Sequence, residues 1–244
     1  PEKDKLVPKT MSTARILYGM YFGMTAIEVI LLLFGGMNVF DSLIFSFGTA
    51  GTGGFANYSA SVGHFNSAYI DGVITVFMIL FGINFNLYYF LLLRDIRPVW
   101  KNEELKTYLL LILSAACVIT INISQLYESP WKAFRYAIFQ VASIITTTGY
   151  ATADHTLWPM FSQCVLLFLM MVGACASSTG GGMKVARFMM MMKCIKREIM
   201  QMVHPKSVSI IRMNAKKVDS DVLRTLNVYL MAYIGFIVGS VLLV

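Results

Sequence analysis

Phe47-Gly-Thr-Ala-Gly-Thr52-Gly53-Gly54-Phe55 and Ser143-Ile-Ile-Thr146-Thr147-Thr148-Gly149-Tyr150 are one short stretch written twice. Aligned on Gly54 and Gly149, which lie 95 residues apart, both end Thr-x-Gly-aromatic. Each copy sits between two long apolar segments and follows a short amphipathic run. An ion-selective pore loop needs that setting. Irregular backbone at membrane depth is tolerated only where it lines a polar path, and its carbonyls must replace the water around a dehydrated cation. Glycine allows the dihedrals that turn successive carbonyls inward. Candidate cation ligands are therefore Thr52, Gly53, Gly54, Thr147, Thr148 and Gly149, through their carbonyls and with the hydroxyls of Thr147 and Thr148 in addition. Phe55 and Tyr150 are expected to support the filter by wedging each loop against its own pore helix.

Composition agrees with a bilayer setting. Of 244 residues, 57% are hydrophobic and 14% are charged. A soluble domain carries about a quarter charged residues. The mean hydropathy is +0.66. The formal charge of +7 does not point to nucleic acid, because the basic residues fill the gaps between apolar segments and no basic stripe is interleaved with aromatics. The four cysteines, Cys117, Cys164, Cys175 and Cys194, are scattered in or beside apolar segments with no C-x-x-C spacing. Neither disulfides nor metal ligation is expected of them. Pro1 stands where a Met or a leader would begin, and Val244 ends inside an apolar run; both ends read as the limits of a fragment.

The spacing predicts an all-α membrane protein of repeated helix–pore loop–helix units around a central ion pore. Residues 1–15 form a cytoplasmic flank, and residues 16–94 the first pore unit. Its first span runs from Ile16 to Met37 with Glu28 as its sole charge; about 20 apolar residues cross the hydrocarbon core. Asn38 caps a short pore helix, Val39–Phe47, with Asp41 in the capping-box position. The helix ends with its carbonyls toward mid-membrane, where its dipole favours a cation. After the loop and a polar outer segment, Gly72–Leu93 reads as a second full-length span. Residues 95–106 are a basic cytoplasmic linker. Residues 107–203 repeat the plan: a span from Thr107 to Tyr127, the Ser129 cap with Pro130 at the first helical position, a pore helix to about Ala142, the threonine-rich loop, and a broken second helix.

That break is Gly173-Ala-Cys-Ala-Ser177-Ser178-Thr179-Gly180-Gly181-Gly182. Three consecutive glycines each cost ~1 kcal/mol in a helix relative to Ala, and small hydroxyl residues can satisfy the freed backbone groups. The competing reading of this stretch is a small-residue surface for close helix packing. The helix resumes at Met183 with Lys184, Arg187, Lys193, Lys196 and Arg197. Residues 204–221 form a second cytoplasmic linker, and 222–244 the first helix of a further unit. All but Lys132 and Arg135 of the 20 Lys and Arg residues fall opposite the loops, so the positive-inside rule turns the loops outward.

Three stretches together resemble the Trk/Ktr/HKT superfamily of cation transporters, and in particular the membrane subunit of bacterial Trk-type potassium uptake. They are Gly36–Asp41 through Thr52-Gly-Gly-Phe55, Phe134-Arg135 through Thr147-Thr-Gly-Tyr-Ala151, and Ala176-Ser-Ser-Thr-Gly-Gly-Gly-Met-Lys184. The family builds one pore from four units in a single polypeptide, with the glycine-rich break in the third. The resemblance therefore implies that this chain carries the second and third units plus one helix of the fourth. It implies K⁺ as the transported ion, with no covalently bound cofactor. It also implies a gate formed by Gly173, Ser177, Ser178, Thr179, Gly180, Gly181, Gly182 and Lys184 beneath the filter. The implied partners are a second copy in a homodimer, a cytoplasmic nucleotide-binding regulatory subunit of RCK type contacting residues 184–217, and membrane lipids. The implied location is the bacterial inner membrane, multi-pass.

Other readings meet the residues less well. Gly180–Lys184 is no phosphate-binding loop, since Met183 separates Gly182 from Lys184. No paired Asp or His-Glu-x-x-His set in the spans suits an intramembrane enzyme. His64, His155 and His204 are isolated, and Met189–Met192 suits plastic packing. Glu28 reads equally as a functional acid and as a neutral structural one. Asn84 and Asn86 read as pore-lining or as interhelical hydrogen bonders. Lys132 and Arg135 are expected to hold headgroups, Glu128 or a neighbouring loop. A sodium- and potassium-permeable transporter of the same superfamily, a dimeric channel with two loops per chain, and a secondary transporter with discontinuous helices remain alternatives.

Overall fold

The computed structural model describes residues 6–204, 210–214 and 216–242. The chain is a helical membrane protein built from two units of the same design. The first unit comprises α1 (Leu6–Phe34), α2 (Val39–Ala50), α3 (Ala68–Phe81) and α4 (Phe85–Leu92). A short α5 (Arg97–Lys101) leads to the second unit, α6 (Glu103–Ile123), α7 (Pro130–Ile145), α8 (Met160–Val172) and α9 (Val185–Val203). A two-stranded antiparallel hairpin, β1 (Arg212–Met213) and β2 (Lys216–Lys217), precedes α10 (Ser220–Leu242). Among the described residues, three helical stretches are long and apolar enough to cross a bilayer: Ala14–Phe34, Glu103–Leu126 and Asp221–Ser240. The two short helices α2 and α7 lead into the repeated loops.

Polar residues start these helices. Asn38 accepts from the Asp41 amide at 2.7 Å while its own amide donates to the Asp41 carboxylate at 2.8 Å, so the predicted cap closes in both directions. Asn102 accepts from the Leu105 amide at 2.8 Å to start α6. Ser129 accepts from the Lys132 amide at 3.2 Å, ahead of Pro130 in the first turn of α7.

The predicted single span Gly72–Leu93 is two helices, α3 and α4, bent by 92°. The cause lies in Gly82-Ile83-Asn84. A Cβ on Gly82 would stand 2.2 Å from the Tyr108 hydroxyl, so the chain passes there as glycine. Asn84 then caps α4, accepting from the Asn86 amide at 3.0 Å. The carbonyl of Gly82 and the amide of Phe85, released by the bend, are taken by Cys175 N–H (3.0 Å) and Ser177 C=O (3.1 Å). The two broken helices thus complete each other at these two groups.

One apolar core gathers Leu32, Phe45, Ile74 and Met78 of the first unit with Phe139, Ala142 and Tyr150 of the second. Another joins Tyr108, Ile112 and Ile119 of α6 to Val141, Leu166, Leu169 and Val172. The helices α3 and α7 carry the junction between units. There Arg135 pairs with Asp71 at 3.3 Å, with the Asp71 side chain almost fully enclosed. Removing one member of such a pair costs ~3–5 kcal/mol. Arg135 therefore holds the neighbouring unit, while Lys132 pairs with exposed Glu128 at 3.2 Å.

Candidate functional site

The two loops are one backbone conformation repeated. Thr52 and Gly54 have φ of +49° and +65°, and Thr147 and Gly149 have +59° and +89°. The intervening Gly53 and Thr148 do not share that sign. This alternation of handedness along the chain lets successive carbonyls face one side. The hydrogen bonds repeat as well. The amides of Thr52, Gly53 and Gly54 donate to Thr49 (3.1 Å) and Gly48 (2.8 and 3.4 Å), and those of Thr147, Thr148 and Gly149 donate to Ile144 (3.0 Å) and Ser143 (2.9 and 3.3 Å). Every loop amide is thereby turned back onto the end of its pore helix. Among the described residues, no carbonyl of Thr52, Gly53, Gly54, Thr147, Thr148 or Gly149 accepts a hydrogen bond. Unpaired carbonyls held in place suit a cation and repel an anion.

The loops also converge. A Cβ on Gly54 would stand 1.9 Å from the Thr148 carbonyl oxygen. Any residue but glycine would collide there with the backbone of the other loop.

Two expectations need correction. The hydroxyls of Thr147 and Thr148 already have partners within the protein. The Thr147 hydroxyl accepts from the Gly181 amide at 2.6 Å, and the Thr148 hydroxyl bonds to that of Thr146 at 2.8 Å. These bonds fasten the second loop. The second correction concerns the aromatics. Tyr150 keeps to its own pore helix, clustering with Phe139 and Ala142, but its ring does not stop there. It is 0% exposed and enters the first unit, donating to the carbonyls of Phe45 at 3.0 Å and Phe55 at 3.3 Å. The Ser143 hydroxyl donates to the Tyr150 carbonyl at 2.6 Å, which sets its backbone. Phe55 is 77% exposed, with its ring beside Gly53.

The glycine-rich break packs directly on these loops. Its neck is Gly173 against Gly182, both at positive φ, where a Cβ on Gly182 would lie 2.6 Å from the Gly173 Cα. Within the neck, Thr179 accepts at its carbonyl from the Thr52 hydroxyl at 3.0 Å and donates its own hydroxyl to the Phe81 carbonyl at 3.3 Å. Gly180 lies so close to the end of α7 that a Cβ would stand 2.9 Å from the Thr146 carbonyl oxygen. The ammonium of Lys184 donates to the Gly180 carbonyl. Ser178 donates to the Cys175 carbonyl at 2.6 Å, and Ser177 takes the Phe85 amide. One short segment is therefore stitched to both loops and to the bend between α3 and α4.

Several residues of this site escaped the sequence reading. Gly48 sits inside α2, where a Cβ would stand 2.0 Å from the Tyr150 hydroxyl. A glycine in a helix interior costs ~1 kcal/mol, and that cost is the signal of a close approach. Gly82 carries the same signal in α3–α4. Glu104, 4% exposed, accepts from the Ala176 amide at 2.6 Å and anchors the glycine-rich segment to α6. In the sequence it resembles an ordinary acid in the first turn of a capped helix. On the opposite side, Asp41 collects Asn57 at 2.5 Å and Tyr58 at 2.9 Å, which ties the outer segment to the start of α2. That bond to a carboxylate holds the Tyr58 phenol above its ordinary range.

A family model described as "TrkH: Cation transport protein" matches residues 2–243. The Trk system potassium uptake protein TrkH of Salmonella typhimurium is 33% identical over 99% of this chain and 51% of its own length. The Trk system potassium uptake protein TrkG of Escherichia coli K12 is 31% identical over 98% of this chain and 50% of its own length. The crystal structure of the potassium transporter TrkH from Vibrio parahaemolyticus superposes with a TM-score of 0.88 at 32% identity, covering 93% of this chain and 49% of that one. The chain spans about half the length of the curated relatives it matches.

Proposed function

The chain belongs to the TrkH family of cation transport proteins, and we propose that its two units supply part of a pore for potassium uptake. The observation that carries this reading is the repeated loop backbone with its unpaired, convergent carbonyls. Thr52, Gly53, Gly54, Thr147, Thr148 and Gly149 offer their carbonyls to a dehydrated K⁺, and further units complete the ring. Phe55 then closes on a unit beside the first, as Tyr150 closes on α2. The loops face outward in the bacterial inner membrane, a reading that the distribution of Lys and Arg supports. Inward flow follows the membrane potential, worth ~2.3 kcal/mol per charge per 100 mV.

The segment Gly173–Gly182 is the gate in this reading, closed where Thr179, Gly180 and Gly181 touch the loops and held by Glu104 and Lys184. The basic helix α9 and the hairpin that follows it are the contact for a nucleotide-binding regulatory subunit of RCK type, and the protein works as a homodimer among lipids. Rubidium uptake into vesicles carrying the full-length protein tests the pore. Gly149→Ser is expected to abolish uptake or its preference over sodium. Uptake and preference indifferent to that change would reject the filter assignment, and equal sodium and rubidium flux in the unchanged protein would favour the sodium-permeable alternative.

A further inference from the structure

Behind the first filter loop lies a polar seam that the pore reading leaves unused. Glu28, in the middle of α1, is 0% exposed, and neither of its carboxyl oxygens has a hydrogen-bond partner. Facing helix α2 carries Ser42, Ser46 and Thr49 at i, i+4 and i+7, one buried stripe. The hydroxyls of Ser42 and Ser46 are unpartnered as well. The groups that act on Glu28 are Thr49 on α2, Tyr21 on its own helix, and Tyr150 from the second loop. Among the described residues Glu28 enters no ion pair.

The protons in this seam can be counted. The Thr49 hydroxyl donates to the Phe45 carbonyl at 2.8 Å. The Tyr150 hydroxyl donates to the same carbonyl at 3.0 Å and to that of Phe55 at 3.3 Å. Both hydroxyls beside Glu28 have backbone acceptors for their protons. An ionised carboxylate would then depend on the Ser42 and Ser46 hydroxyls in an enclosed site, with no ion-pair partner among the described residues, an arrangement that buried charges avoid. A neutral carboxyl fits: it donates to Thr49 or Tyr150 and accepts from Ser46, directly or through one ordered water.

We propose that Glu28 is a positioning residue of the filter, a hydrogen-bond donor that fixes the Thr49–Phe45–Tyr150 junction, with a buried water completing the seam to Ser46. The inference rests on the pore reading, because its effect is exerted on loop geometry. Phe45 C=O receives two of the bonds that the junction organises, and Phe55 C=O, next to Gly54, receives the third. Loss of the donor from Glu28 removes one of the bonds that hold Thr49 or Tyr150 in place and loosens the first loop from behind.

The test uses the full-length protein in vesicles, with rubidium uptake measured against competing sodium. Glu28→Gln keeps shape and a donor, and is expected to retain uptake and discrimination within about twofold. Glu28→Leu fills the same volume without a donor. It is expected to elute as the folded protein and lose discrimination about tenfold, the usual range for an unpaired buried polar group. Full discrimination in folded Glu28→Leu, or equal loss in Glu28→Gln, overturns the proposal. Gly149→Ser serves as the control. If it abolishes discrimination while Glu28→Leu does not, the pore stands and the role of Glu28 falls; if neither has an effect, the pore reading itself falls. An independent readout is the infrared carbonyl stretch of an un-ionised carboxyl at neutral pH. It is expected in the unchanged protein and absent in Glu28→Gln; a spectrum unaltered by that substitution also overturns the proposal.

Discussion

Tyr150 and Phe55 occupy the same place in the repeat, yet Tyr150 is 0% exposed and Phe55 is 77% exposed. Their loops match in φ signs and in every amide hydrogen bond. The difference lies in the neighbour. Tyr150 has the pore helix of the other unit to enter, and Gly48 leaves the slot for its hydroxyl. The position equivalent to Gly48 in the second unit is Ser143, whose hydroxyl is turned onto the Tyr150 carbonyl at 2.6 Å. The repeat thus preserves backbone conformation within each unit and varies the fit between units. In the second unit the aromatic after the loop glycine docks onto the first unit, through contacts that neither unit contains alone.

The largest effect expected from this comparison concerns the glycines themselves. Gly54→Ala places a Cβ 1.9 Å from the Thr148 oxygen at a φ of +65°, whereas Gly149 has open space around its Cβ position at a φ of +89°. Left-handed backbone alone costs a non-glycine residue ~1–2 kcal/mol. If further units close the ring, Gly149 gains a neighbour like that of Gly54, and in the full-length protein both substitutions abolish rubidium uptake. A Gly149→Ala protein that keeps a tenth or more of its uptake, roughly the effect of strain alone, while Gly54→Ala is dead, would show that the second loop has no such neighbour.

Much of this site is legible in the sequence because each unit's local rules agree with its fold. Asn38, Asn102 and Ser129 begin helices where side-chain caps are expected, and three adjacent glycines break a helix where helix propensity forbids one. The missed features all depend on contacts across long separations. The bend at Gly82–Asn84 is masked because Gly72–Leu93 is apolar enough to span. Tyr108, Thr146, Cys175, Ser177 and Thr179 hold the bend, and they lie in the other unit. The partner of Tyr150 was misassigned for the same reason: a single motif reveals its own helix and not the helix that its side chain enters. The threonine hydroxyls read as cation ligands in the sequence, and the approach of Gly181 to Thr147 is visible only in the fold.

A middle-sized effect sharpens the docking argument. Tyr150→Phe removes the two bonds to Phe45 and Phe55, for a loss of ~1–3 kcal/mol. Gly48→Ala drives a Cβ to within 2.0 Å of the same hydroxyl, and is expected to cost at least as much. The double variant is expected to be no worse than Gly48→Ala alone, because phenylalanine vacates the contested space. Thermal unfolding of the four full-length proteins in detergent supplies the cycle. Strictly additive losses would mean that Gly48 and Tyr150 do not share the slot.

The smallest expected effect separates the loops by their hold on the glycine-rich segment. The Thr52 hydroxyl divides its proton between the carbonyls of Gly51 at 2.8 Å and Thr179 at 3.0 Å, while Thr147 accepts from the Gly181 amide at 2.6 Å. The shared, longer bond contributes less than the short, undivided one. Thr147→Val is therefore expected to loosen the segment more than Thr52→Val. In vesicles without the regulatory subunit, basal rubidium leak should rise about fivefold for Thr147→Val and about twofold for Thr52→Val, ratios that correspond to ~1 and ~0.4 kcal/mol. Leak unchanged in both, with uptake intact, would show that these bonds do not hold the gate closed. Equal leak would mean that the second loop has no firmer grip on it than the first.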